Sequence, residues 1–78
     1  MSGAGEDPAE TLAALWRLSR DEAASLEERV RRLELAVMRA MQGQNPADGA
    51  ESLLAEQRIA LEETRLRTAR ILDLLDRR

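Results

Sequence analysis

Hydrophobic and small residues recur at alternating spacings of three and four positions through the first half of the chain. They are Leu12, Trp16, Ser19, Ala23, Leu26, Val30, Leu33, Val37 and Ala40. This spacing places one side chain per turn on the same side of an α-helix, and a stripe that keeps a seven-residue repeat is typical of a coiled coil. The pattern therefore predicts a long amphipathic helix over about residues 8–42.

The residues around Asp7 predict where this helix begins. Asp7 is a favoured N-cap residue, Pro8 suits the first helical position, and Glu10 follows three residues after the cap. Further along, Ser19 and Glu22 have the spacing of a capping box, which leaves open a break near residue 19. The stripe keeps its phase across Ser19, and this favours a continuous helix.

A second stripe follows a polar break at about residues 43–49. Its members are Ala50, Leu53, Leu54, Gln57, Leu61, Thr64, Thr68, Ile71, Leu72 and Leu75. The pattern predicts a second helix over about residues 50–77, capped by Asp48, or by Asn45 with Pro46 behind it. This stripe is more polar than the first, because an amide and two threonines take core positions.

A short connection between two amphipathic helices favours antiparallel neighbours. If the chain reverses near Pro46, every stripe residue of one helix faces a stripe residue of the other. The predicted pairs include Val37 with Leu54 and Ser19 with Ile71. The agreement between the two stripes supports a hairpin.

The predicted fold class is therefore all-α, an antiparallel, coiled-coil-like two-helix hairpin over residues 8–78 after a disordered tail at residues 1–7. The composition agrees, since 44% of the residues are hydrophobic, 35% are charged and one is aromatic, a profile of long helices rather than of a sheet. At 78 residues the hairpin has room for a small core only. We expect a partner or a second copy to complete it to a bundle.

Large apolar side chains off the two stripes would lie exposed on such a hairpin. Contiguous apolar surface on a small chain usually marks an interface, methionines adapt to varied partners, and tryptophan is a frequent interface anchor. The sequence predicts a partner-binding set for these reasons. Its members are Leu15, Trp16, Leu18, Leu35, Met38, Met41, Ile59, Leu66 and Leu74.

The residue types on which most catalytic and metal sites depend are missing. The chain has no His, Cys or Lys, so zinc and haem sites, His-based triads and Schiff bases lack their usual groups. Neighbouring carboxylates flank the stripes and have arginines four residues later: Glu27 with Arg31, Glu28 with Arg32, and Glu63 with Arg67. We expect no enzyme activity, no cofactor and no metal site.

Charge and hydropathy narrow the partner classes. The net charge is −3 and the arginines alternate with acids, which disfavours nucleic acid as a partner. No apolar run approaches the roughly 18 residues of a membrane span, and the amino terminus lacks the pattern of a signal peptide. We expect a cytoplasmic protein whose partner is another protein or a second copy of itself.

From Ser19 to Leu75 the layout combines an amphipathic helix, a Gly-containing polar break and a second helix. That second helix carries Gln57 four residues before Leu61-Glu62, and an apolar end at Ile71-Leu72. In this it resembles the small helical-hairpin co-chaperones of bacterial type III secretion. The resemblance implies a protein that joins a tetratricopeptide-like partner to keep a polymerising needle subunit soluble. The aromatic residue that such co-chaperones carry at the start of the second helix is absent here.

The turn region also resembles that of the needle and inner-rod subunits themselves, through Asn45-Pro46, Leu53-Leu54 and Gln57. The chain ends soon after Gln57, which disfavours the longer tail of that family. Three functions follow in order of preference. The first is an adaptor or co-chaperone-like module that binds a partner helix, the second a homo-oligomeric four-helix bundle for assembly or dimerisation, and the third a regulator contacting nucleic acid.

Overall fold

A computed structural model describes residues 7–43 and 49–77. Helix α1 spans Pro8–Met41 and helix α2 spans Ala50–Asp76. The two pack against each other, with the end of α1 beside the start of α2. The predicted all-α hairpin is confirmed, and it measures 61 × 24 × 14 Å, so it is about one helix thick.

Asp7 starts α1 as the sequence predicts. Its side-chain Oδ1 accepts the backbone N–H of Ala9 at 2.9 Å, and its carbonyl accepts the N–H groups of Glu10 and Thr11. These bonds satisfy donors that have no partner inside the helix, and Pro8 has no N–H to satisfy. Asp7 therefore belongs to the helix cap, and residues 1–6 of the predicted tail lie outside the described residues.

Helix α1 runs through Ser19 without a break, as the unbroken phase of the stripe favours, and the alternative of a capping box at Ser19 does not form. Ser19 is buried, and its hydroxyl lies 2.5 Å from the Thr68 hydroxyl of α2. Thr68 gives its one hydroxyl hydrogen to the Thr64 carbonyl at 2.7 Å, which makes Ser19 the donor in the contact with Thr68. The serine serves a bond between the helices rather than a helix end.

Helix α2 begins differently from the prediction. Gly49 occupies the N-cap position with φ of 83°, a conformation that glycine adopts without strain, and no side chain caps the helix. The Gly49 carbonyl accepts the N–H of Leu53 at 2.9 Å. Asp48 and Asn45, the predicted caps, lie outside the described residues together with Pro46.

The core is a narrow strip between the helices. Leu26 and Val30 of α1 pack with Leu54 and Leu61 of α2, and these four side chains form the buried cluster. Partly buried apolar residues extend it: Ala23, Leu33, Val37 and Ala60. All the burial comes from the side that each helix turns toward the other, as the two stripes predict.

The register of the two helices agrees with the prediction in part. Val37 and Leu54, a predicted pair, line the same groove. Ser19 contacts Thr68, three residues before the Ile71 predicted opposite it. In antiparallel helices a side chain packs between partner residues about one turn apart, and the Ser19 hydroxyl bonds to the neighbour that offers an oxygen.

Replacing Thr68 by Val should lower the free energy of unfolding by about 1–2 kcal/mol, because Ser19 then holds a buried hydroxyl without an acceptor. Adding Ser19→Ala should recover most of that loss, since both polar groups are then replaced by apolar ones of similar shape. Urea unfolding followed by circular dichroism at one fixed chain concentration measures the effect. A double variant that loses the sum of the two single effects would contradict the bond.

Candidate partner-binding surfaces

One broad face of the hairpin is closed by ion pairs between the helices. Glu34 of α1 lies 2.8 Å from Arg58 of α2, and Glu27 lies 2.6 Å from Arg65. Each residue directly follows a core position of the seven-residue repeat, and this is where antiparallel coiled coils place one set of cross-pairs. We call this side the ionic face.

The opposite side is mainly apolar, and we call it the leucine face. Glu22 pairs with Arg67 here at 3.5 Å, and the residues at seven-residue intervals from this pair lie along the same side of the hairpin. Its two central rows are Leu15, Glu22, Arg29 and Ala36 on α1, and Leu53, Ala60, Arg67 and Leu74 on α2. Five of these eight residues are leucine or alanine, whereas six of the eight corresponding positions of the ionic face are charged.

The ion pairs correct one local prediction. Arg31 and Arg32 meet Glu27 and Glu28 at 3.7 and 3.3 Å, as their spacing predicts. Arg67 of α2 pairs with Glu22 of α1 instead of with Glu63 on its own helix. Such exposed pairs contribute little stability each, so their value here is that they show which residues share a face.

A groove of about 590 Å³ opens on the ionic face beside the turn, and we call it the turn-end groove. Val37, Leu54 and Ala55 supply apolar surface, and the methionines Met38 and Met41 lie beside it with 53% and 79% of their surface exposed. Charged residues complete the lining: Glu34, Glu51 and Arg58. Flexible thioether side chains next to an apolar floor suit the docking of another helix.

A second groove, of about 390 Å³, lies on the leucine face between Leu33, Leu53 and Gln57. Arg29 and Arg32 form its other wall. The Gln57 side-chain oxygen is buried and has no hydrogen-bond donor within the described residues. A buried acceptor without a donor is unfavourable in the single hairpin.

Trp16 lies half-buried toward the open end of the hairpin. The Arg20 guanidinium lies 4.9 Å from the centre of its ring, within the range of a cation–π contact. Its indole Nε1 is buried, and no acceptor in the described part of the chain receives the N–H. Tryptophan N–H groups usually find a partner when buried, which keeps Trp16 in the partner-binding set.

The nine predicted partner-binding residues do not share one face. Met38 and Met41 border the turn-end groove, and Trp16 is half-buried with Arg20 against its ring. By their positions in the repeat, the others fall into three groups. Leu15, Leu18 and Leu74 lie at the open end of the leucine face, Leu35 lies on the outer edge of α1, and Ile59 and Leu66 lie on the outer edge of α2.

Two exposed leucines were assigned to the buried stripe by the sequence. Leu53 and Leu72 are 45% and 43% exposed. Each stands beside another large apolar residue, Leu54 or Ile71, and a helix can direct only one of two consecutive side chains toward its neighbour. Two adjacent large apolar residues in the sequence indicate that one of them will be exposed. The exposed leucines, Leu53 and Leu72, enlarge the apolar surface that a partner can contact.

The described residues contain no group of three or more His, Cys, Asp or Glu side chains that could hold a metal ion. Neither α1 nor α2 is long and apolar enough to cross a membrane. Comparison of the chain with protein-family models, characterised proteins and solved structures gives no match. The resemblance to type III secretion co-chaperones therefore stays a prediction.

The exposure of Met38 and Met41 at the turn-end groove predicts how fast each methionine is oxidised. Dilute hydrogen peroxide should oxidise both in the isolated chain, Met41 faster than Met38, because a thioether reacts according to its exposure. Trypsin cuts at Arg39 and separates the two residues, so mass spectrometry of the peptides gives both rates. Protection of both methionines until the chain unfolds would contradict an open groove.

Proposed function

We propose that this hairpin is a non-catalytic protein-interaction module, adaptor-like or co-chaperone-like, which binds a helix of another protein in the turn-end groove. The observation that carries the proposal is the exposure of Met38 and Met41 beside an apolar floor. Covering a large apolar side chain contributes about 1.5–3 kcal/mol when its burial is complete. Two partly exposed methionines therefore offer a partner a few kcal/mol.

The shape of the groove favours a helix as the occupant. Val37 of α1 and Leu54 of α2 form a furrow between two helices, and a third helix packing there would extend the hairpin toward a bundle. Amphipathic helices bind such furrows through apolar residues one turn apart. Glu34, Glu51 and Arg58 at the rim supply both signs of charge, which would set the orientation of the bound helix.

The co-chaperone part of the proposal agrees with the resemblance described above. A protein that keeps a polymerising subunit soluble must cover an apolar helix face, and the turn-end groove has the chemistry for that task. The tetratricopeptide-like partner, the bacterial source and the cytoplasmic location belong to the same proposal.

Self-assembly into a four-helix bundle is a second candidate, and the leucine face favours it. A hairpin 14 Å thick has only one layer of helices, so its second apolar side stays open in the single chain. Nucleic-acid binding lacks a comparable observation. Arg31 and Arg32 are engaged with acids of their own helix, and the chain carries a net charge of −3.

Changing Met38 and Met41 together to Gln should weaken binding of the partner by about 30-fold or more, corresponding to roughly 2 kcal/mol of lost apolar contact. Glutamine keeps the length and the helix propensity of methionine but not its apolar end. The measurement is quantitative mass spectrometry of proteins that co-purify with the chain, followed by calorimetric titration of the recovered protein.

The matched control changes both residues to Leu, which keeps the surface apolar and should retain binding within about threefold. Circular dichroism should show the same helix content for the parent and both variants. The proposal fails if no protein is enriched by the parent and the Leu variant over the Gln variant.

A further inference from the structure

Several charges that border the leucine face form no ion pair with another described residue, although Glu22 and Arg67 in its central rows pair with each other. The four central charges of the ionic face, by contrast, pair with one another. Around the leucine face, five residues form no ion pair with any other described residue: Arg29, Arg39, Glu56, Glu63 and Arg70. An apolar strip bordered by unpaired charges of both signs has the composition of an interface, with an apolar centre and a polar rim.

We infer that this face binds a second copy of the chain, with two hairpins stacked leucine face to leucine face about a two-fold axis perpendicular to their long direction. The turn of one hairpin then lies over the open end of the other. Each helix packs antiparallel on its own counterpart, and the product is a four-helix bundle. The inference rests on the proposed function only in that the hairpin uses exposed apolar surface for protein contacts.

The order of charges along α2 is self-complementary in this arrangement. Reversing one α2 over another places Glu63 of one copy opposite Arg70 of the other, and Glu56 opposite Arg77. Along α1 the same operation places Glu22 opposite Arg29. The two-fold axis generates each of these contacts twice, so six attractive pairs border the bundle. The two copies of Arg67 lie beside the axis, each paired with Glu22 of its own chain.

One axis position satisfies the pairs on both helices. The midpoint between Glu22 and Arg29 falls just before Leu26, and the midpoint between Glu63 and Arg70 falls between residues 66 and 67. These two points lie at the same level of the hairpin, because the ion pairs Glu22–Arg67 and Glu27–Arg65 enclose both. Charge patterns on two separate helices thus agree on one symmetry axis.

The apolar residues of the leucine face also match under this rotation. Leu15 of one copy meets Ala36 of the other, so a large side chain fills the space beside a small one. Leu74 of one copy meets Ala60 of the other in the same way, which covers a leucine that is 45% exposed in the single hairpin. Apolar contact is therefore distributed to both ends of the bundle, with the charged pairs between and beside it.

The size of the face is sufficient for a stable dimer. From Leu15 to Arg39, α1 rises about 36 Å, and the hairpin is 24 Å wide. The face therefore offers on the order of 800 Å², roughly what each partner of a specific complex buries. The turn-end groove lies on the opposite side, so a dimer leaves Met38 and Met41 accessible.

A two-fold axis along the hairpin is the other way to stack the same faces. It would place α1 over α2 of the second copy, so that Glu63 meets Arg29 and Arg70 meets Glu22. The two arrangements therefore assign different partners to Glu63. A charge exchange between residues 63 and 70 separates them.

Light scattering across the micromolar concentration range tests the inference with Glu63→Arg, Arg70→Glu and the double variant. The parent should show twice the 8.7 kDa mass of one chain. Each single reversal should raise the dissociation constant about tenfold, because two attractive pairs become repulsive. The double variant should return to within about threefold of the parent, since each new arginine meets a new glutamate.

Ser52→Glu is the matched control, because it places a new charge at an exposed position on the outer edge of α2 and should leave the dimer intact. A parent that stays monomeric, a double variant that stays weak, or dissociation caused by Ser52→Glu would each overturn the inference. The failure of this dimer and the failure of the proposed function give different results. A monomeric parent that binds a foreign protein through Met38 and Met41 removes the dimer alone. A dimeric parent whose binding of a foreign protein is unchanged when Met38 and Met41 become Gln removes the groove alone.

Discussion

The burial of Leu26, Val30, Leu54 and Leu61 between two helices is the contact on which the rest of this structure depends. A helix in a hairpin has one neighbour, so it can bury one stripe only, and a 61 Å long molecule acquires a strip of core instead of a centre. Everything outside that strip faces solvent in the single chain. The abundance of exposed leucine and methionine is therefore a direct consequence of the hairpin topology, and association is the means by which such a chain gains further burial.

Polar contacts determine how the two stripes align. Ser19 bonds to Thr68 within the strip, and Glu27 and Glu34 pair with arginines of α2 at its edge. A slip of the helices by one turn would keep leucine against leucine but would leave the Ser19 hydroxyl buried without its acceptor. Buried polar groups in coiled coils select register in this way, at some cost in stability. The surface pairs add little energy but agree with the same alignment.

The sequence predicts the elements well because periodicity reports burial directly. The expected helices over residues 8–42 and 50–77 correspond to Pro8–Met41 and Ala50–Asp76. Periodicity identifies the buried side of each helix, but the faces of the pair depend on how one helix is rotated and shifted against the other. The partners of Ser19 and Arg67 depended on that arrangement, and so did the division of the nine candidate residues among separate surfaces. Where two apolar residues adjoin, as at Leu53 and Leu54, the pattern alone could not tell which one is buried.

The two faces differ in a way that suits two kinds of contact. On the ionic face the central charges are satisfied within the chain, so a partner gains there only where the apolar floor emerges at the turn-end groove. On the leucine face Glu22 pairs with Arg67, and leucine or alanine occupies five of the eight central positions. Arg29, Glu63 and Arg70 form no ion pair with another described residue. In the proposed bundle the two sites lie on opposite sides of the same two helices, so the leucine faces can meet while the turn-end groove stays open to a partner helix.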